Sequence, residues 1–371
     1  MTADFELKPT RTYDAAALRD MLQSLQNTAR EGQDVSPAPE ADAVFADARE
    51  PETDSSADEA VDRYLAAHGE PPASSFEAWQ AHLAAERERE QAQGDHHAED
   101  EAVFAAELDE HGRAEAERGA YGVARALIEK AVEIRRRLHG ERDPKLVRSF
   151  SWLGSLALLQ GEVEQAEWLY HQAHAAAEHQ YGAGHVRTAA TLHNLGLVAQ
   201  RCGHHAEAAQ FYERALAIKL QQLGWGHSSV AATLTNLGNL ARLQEDSHNA
   251  LQLYAQAREI YERTLGGANP GLATALTGMG RVYLKLEQID EARFVLERAL
   301  RIREALQVAP MQLAGSRLLL AQAIRHADPA QALALVRRAL REYEASPDPR
   351  PTYLDALRTW VERLGGEYRA A

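Results

Sequence analysis

Sixteen histidines, one cysteine, and a set of asparagines and arginines that recur on one kind of helical face are the side chains of this 371-residue chain that invite chemistry. The histidines raise the question of a metal. Zinc takes three or four converging ligands, and the adjacent pairs His96, His97 and His204, His205 lie in unrelated stretches, the first in an acidic tract and the second in a turn, so no metal is expected. Cys202 stands alone beside Gly203, which excludes an internal disulfide framework. The sequence has no GxxxxGK[ST] loop, HExxH, GxSxG or CxxC. Gly278, Met279 and Gly280 fall inside a helical pattern, where glycines cannot cradle phosphate. The expectation is a protein that is not an enzyme and needs no cofactor.

The polar residues say more. At about 100° per residue, Ala190, His193, Asn194, Leu197, Gln200 and Arg201 share one broad helical face, directed away from Leu192, Leu195 and Ala199. The equivalent face further on carries Thr235, Asn236, Asn239 and Arg242, and then Thr277, Gly278, Arg281 and Lys285; further back it is apolar around Trp152. An amide both donates and accepts, which suits an extended backbone. Guanidinium and ammonium groups favour carboxylates. The alternative is that these polar groups only solvate the helices or tie neighbouring helices together.

What positions such faces is a repeat. Glycines stand 42 residues apart at Gly112, Gly154, Gly196, Gly238 and Gly280. Two alanine columns keep the same step: Ala124, Ala166, Ala208, Ala250, Ala292, and Ala131, Ala173, Ala215, Ala257, Ala299. Five copies of one unit therefore fill residues 101–310. Each copy has two helical patterns; in the third they run over about residues 186–202 and 206–223, with breaks at Gly203 and at Gly224. Gly140, Gly182, Gly224 and Gly266 share that terminal position. Glycine inside a helix costs about 1 kcal/mol against alanine, so its recurrence marks a place where two helices approach too closely for a larger side chain. Between the alanines sits a large residue, Ile128, Tyr170, Tyr212, Tyr254 or Leu296, to fill the remaining space.

This order of small and large residues resembles the tetratricopeptide repeat, in the 42-residue form found in kinesin light chains and many bacterial proteins. The resemblance covers about 210 residues. Glu245 and Glu287 depart from it at the turn glycine, His111 in the first helix, and Val308 at the terminal glycine. It implies an all-α solenoid of helix pairs wound as a right-handed superhelix, in which the first helices line a concave groove. It also implies a peptide-binding set comprising Trp152, His193, Asn194, Arg201, Asn236, Asn239, Arg242, Arg281 and Lys285. The asparagines of LHNLG and LTNLG match the asparagine that contacts a ligand's main chain or carboxylate in peptide-binding members. The role implied is an adaptor for a protein or peptide partner with acidic or carboxylate groups. The alternatives are a peptide-sensing regulator and, further off, an enzyme subunit.

The remaining sequence is divided by charge. Residues 1–100 hold 23 Asp plus Glu against 8 Lys plus Arg, so the whole net charge of −15 lies there, while residues 101–371 balance. With Pro37, Pro39, Pro51, Pro71 and Pro72, this arm is expected to be largely disordered. Short helical stripes are predicted at Leu18–Leu25, Val61–Leu65 and Phe76–Leu83. Acidic charge disfavours nucleic acid, and the short basic run Arg135, Arg136, Arg137 fits the negative end of a helix. After Pro310 a shortened sixth helix pair, capped by Asp328, and a last helix with Leu354, Leu357, Trp360, Val361 and Leu364 are predicted, making residues 311–371 a closing segment. No stretch reaches the ~20 apolar residues of a membrane span, and the start MTADFELKPT has no signal-peptide core, so a cytoplasmic protein without membrane partners is expected.

Overall fold

The computed structural model describes residues 97–118, 120–264, 267, 269–346 and 351–370. The stripes predicted in the arm, His96 and the Gly266 turn lie outside them. Among the described residues there is no strand. Thirteen α-helices follow one another: α1 (His97–Glu117), α2 (Tyr121–His139), α3 (Lys145–Gln160), α4 (Val163–Tyr181), α5 (Val186–Arg201), α6 (His205–Leu223), α7 (Ser228–Leu243), α8 (Ser247–Thr264), α9 (Pro270–Lys285), α10 (Ile289–Ala305), α11 (Pro310–Ile324), α12 (Pro329–Glu344) and α13 (Pro351–Ala370). The chain forms two compact units that part within α6, between Phe211 and Tyr212.

In the first unit α1 pairs with α2 and α3 with α4; in the second α7 pairs with α8, α9 with α10 and α11 with α12, and α13 packs on α12. All ten alanines of the two columns are fully buried. The glycines of the first helices receive the large residue of the partner helix. A Cβ at Gly112 would stand 2.6 Å from Ile128, at Gly154 2.8 Å from the Tyr170 ring, at Gly238 2.8 Å from the Tyr254 ring and at Gly280 2.5 Å from Leu296. Ordinary carbon contacts are about 3.5–4.0 Å, so only glycine admits these neighbours. The tight helix contact anticipated from the spacing is a knob in a glycine slot.

The turns are equally regular. In four of the pairs, from α3–α4 to α9–α10, the connection passes through a left-handed residue, Gly161 (φ 84°) and Gly203 (φ 81°) in the earlier copies and Glu245 (φ 66°) and Glu287 (φ 58°) in the later ones. The two glutamates therefore keep the glycine geometry. Between pairs, a side chain caps the following first helix: Asp143 Oδ1 accepts from the Lys145 amide at 2.8 Å, His185 Nδ1 from Arg187 and His227 Nδ1 from Ser229, each at 3.1 Å, and Asn269 Oδ1 from Leu272 at 3.1 Å. Each supplies a partner to an amide that the helix leaves open. Asp328 does the same for Gln331 at 2.8 Å, ahead of Pro329 in the first turn of α12.

One basic residue is misplaced by the charge-pattern reading. Arg135 is not a solvated helix-end cation: it is buried at 1 % exposure and donates to Asp109 at 2.6 Å, to Ser149 at 2.7 Å and to the Ala105 carbonyl at 3.1 Å. This network joins α1, α2 and α3. Burial raises the Asp109 carboxyl above its usual range, opposed by Arg135 and Arg148. Asp109 is thus absorbed into packing. Arg317 plays a similar part in the second unit, buried and paired with Glu304 and Glu342.

Candidate functional site

In the first unit, α3 and α5 carry the predicted residues. Trp152 is buried at 8 % exposure, so it is a packing residue and offers a ligand almost no surface; this corrects its inclusion among peptide contacts. Tyr170, seated on Gly154, shares a hydrogen bond of 2.9 Å with Ser155. Burial pushes its hydroxyl up to about 12, against the pull of Ser155 and Arg201. On α5, His193 and Asn194 are half-buried, and Arg201, in the last turn, is exposed.

The second unit brings its candidates together more closely. Asn236, Asn239 and Arg242 lie half-buried along α7, one turn apart. Tyr254 rises from α8, its ring against both Gly238 of α7 and Gly278 of α9, and its hydroxyl donates to Asn239 Oδ1 at 2.8 Å. Gly278 is therefore a second wall of the tyrosine slot and not an open position on the face. Burial pushes the Tyr254 hydroxyl up to about 12, while Arg242 and Arg281 nearby pull it down. Thr235 and Thr277, which share the helical face by rotation, are buried with their hydroxyls donating to the Ala231 and Ala273 carbonyls at 2.8 and 2.7 Å. What is left open is the strip formed by Asn236, Asn239, Arg242 and Arg281.

Charge on this strip is uneven. Lys285 donates to Glu245 at 2.9 Å and is already paired. Arg281 is held below its usual range first by desolvation and then by Arg242. Arg303, on α10, is lowered to about 10 by desolvation and by Arg281. Sequence reasoning missed Arg303, because it sits in the last turn of a second helix, where a cation needs no ligand to explain it. Among the described residues no three metal-ligating side chains converge, and no helix is long and apolar enough to cross a membrane.

A family model described as tetratricopeptide repeat matches residues 146–221 and 229–305, and a second of the same description matches residues 112–145; together they span half of the chain. No curated protein matches the sequence. Among solved structures the chain is similar to BtubC (BKLC) from P. vanneervenii, at 25% identity over 69% of this chain and 96% of that one, with a TM-score of 0.49. A Podosopora anserina putative kinesin light chain with nearly identical TPR-like repeats aligns at 23% identity over 56% and 99%, TM-score 0.44. A Rap protein complexed with competence and sporulation factor aligns at 13% identity over 96% and 92%, with a TM-score of 0.53, which shows a common fold.

Proposed function

We propose that this chain, which belongs to the tetratricopeptide repeat family, is a non-enzymatic adaptor that holds a peptide segment of a partner protein against the polar faces of its first helices. The repeat fold supports a protein-interaction role in general, and its members are generally scaffolds. The observation that carries the finer reading is the Tyr254 hydroxyl: it passes through the slot between Gly238 and Gly278 to hold Asn239 at 2.8 Å on the same strip as Arg242 and Arg281. An amide fixed in orientation beside unpaired cations costs less entropy to use than a free one, and the strip then offers alternating main-chain and carboxylate partners. Asn194, His193 and Arg201 offer a smaller version in the first unit.

In this reading residues 1–100 are a regulatory arm, residues 101–310 the repeats, and residues 311–371 a closing helix pair and cap. The arm carries the chain's net charge of −15 and competes for the same cations. A tethered competitor acts at roughly millimolar effective concentration, and salt screens it over about 10 Å at 0.1 M. Panning a random peptide library on the full chain tests the adaptor reading: acidic peptides are expected to be enriched, and Asn236→Ala with Arg242→Glu to release them. No enrichment, or retention by the double variant, removes it. Deleting residues 1–100 is expected to tighten binding of the selected peptides at low salt, and equal affinity would remove the arm's role alone.

A further inference from the structure

We propose that Arg242, Arg281 and Arg303 form the subsite for a phosphoryl dianion borne by the partner segment, an inference that rests on the adaptor reading above. The three guanidiniums come from α7, α9 and α10. Arg281 is the middle member, within coulombic reach of Arg242 and of Arg303. Among the described residues no carboxylate lies at ion-pair distance from any of the three, whereas Lys285, Arg298 and Arg317 of the same unit each have a glutamate. Like charges held together without a counterion repel, and the fold fixes them there all the same. Arg303 is anchored by donating to Ser316 on α11, whose hydroxyl is itself bonded to the Gln312 carbonyl. Arg242 meets the Tyr254 hydroxyl, and its Nε is buried with no partner.

Two hydroxyls border the cations. Tyr254 reaches Arg281 past Gly278, one helical turn away. Tyr353 of the closing helix lies beside Arg281, its hydroxyl 3.6 Å from where a Gly315 side chain would start and its ring edge-on to Tyr343 at 5.0 Å. The Tyr254 proton is committed to Asn239, so the hydroxyl that can donate to an oxyanion is that of Tyr353, and guanidinium forks bind phosphate oxygens in pairs. A single carboxylate neutralises one of three charges. A phosphoryl group, with about −1.5 to −2 charges and three acceptor oxygens, placed on Arg281 relieves the repulsion on both of its sides.

The shared chemistry has two sources, free phosphate and a phosphorylated side chain, and the test separates them from each other and from plain acidic peptides. Melting of the full chain is measured with inorganic phosphate against chloride at constant ionic strength, for the parent, Arg281→Gln, Arg281→Lys and Lys285→Gln, with circular dichroism as the check on folding. Phosphate is expected to raise the midpoint of the parent and of Lys285→Gln, less that of Arg281→Lys, and not that of Arg281→Gln. Without phosphate, Arg281→Gln should melt no lower than the parent, since it removes repulsion. A random phosphoserine peptide library should be retained about tenfold better than the same library with glutamate in place of phosphoserine, the effect of one added charge-assisted contact. The proposal is overturned if phosphate produces no specific shift or if Arg281→Gln keeps it. A shift without retention of the phosphoserine library overturns a partner-borne group and leaves a free-phosphate site. Equal retention of the glutamate library overturns phosphoryl selectivity while the adaptor reading stands; retention of neither library overturns both.

Discussion

Replacing Gly238 by alanine and Gly122 by alanine is the same chemical change with opposite expected outcomes. At Gly238 the new Cβ would lie 2.8 Å from Cε1, 2.9 Å from Cδ1 and 3.2 Å from Cζ of Tyr254. The ring has nowhere to go: it is fully buried, its other side meets Gly278, and its hydroxyl is held by Asn239. Overpacking of this kind costs about 1–3 kcal/mol, and loss of the hydroxyl's bond adds about 1 kcal/mol. Alanine's better helix propensity returns about 1 kcal/mol. The expected net loss is therefore about 1–3 kcal/mol. Gly122, in the first turn of α2, has nothing within 4 Å of its added Cβ, so only the propensity gain of up to about 1 kcal/mol remains. Urea midpoints followed by circular dichroism compare the two without assuming a single two-state transition. Adding Tyr254→Leu should rescue Gly238→Ala, because a smaller residue vacates the slot. A Gly238→Ala variant as stable as the parent, or a loss at Gly122 equal to that at Gly238, would refute the claim that the slot and not the helix demands glycine.

Three further outcomes follow from the packing. Glu287→Gly should stabilise by about 0.5–1 kcal/mol in the same urea assay, because a left-handed backbone at φ 58° costs a non-glycine residue about 1–2 kcal/mol, less what glycine's freer unfolded chain takes back; a destabilised variant would contradict it. Asp109→Ala leaves Arg135 buried at 1 % exposure without its counterion and should cost about 3–5 kcal/mol, while Asp109→Leu with Arg135→Met should recover most of that; equal losses in both variants would show that the pair's charge is irrelevant. Tyr170 and Tyr254 are pushed up to about 12 from 10.0. Their folded pKa values are raised, so the stabilisation is fully present below pH 10 and is lost as the pH rises towards 12. It amounts to about 2–3 kcal/mol per tyrosine. Absorbance titration should show alkaline unfolding in this window, moved upward in Tyr254→Phe, and an unmoved transition would count against the burial.

What the sequence made legible is what recurs. A stack of repeats needs the same vacancy at every joint, so the glycine and alanine columns had to appear at a fixed step, and with them the fold. The capping column Asp143, His185, His227, Asn269 keeps the same 42-residue step and went unread because histidine is outside the usual vocabulary of helix caps. The polar face was legible only as a direction. Helical rotation places a residue relative to its own helix, but Trp152, Thr235, Thr277 and Gly278 are covered, and for Gly278 the cover is a residue of the preceding copy, Tyr254. The features with individual chemistry escape periodicity altogether. Asp109 and Arg135 have Ser151 and Ala177 as their counterparts one copy later, so their pair cannot recur. The cations of the second unit follow the same logic: 39 residues separate Arg242 from Arg281, and 22 separate Arg281 from Arg303. Neither step is the repeat length, so no column contains the three together, and only the folded packing of α7, α9 and α10 brings Arg281 within coulombic reach of the other two.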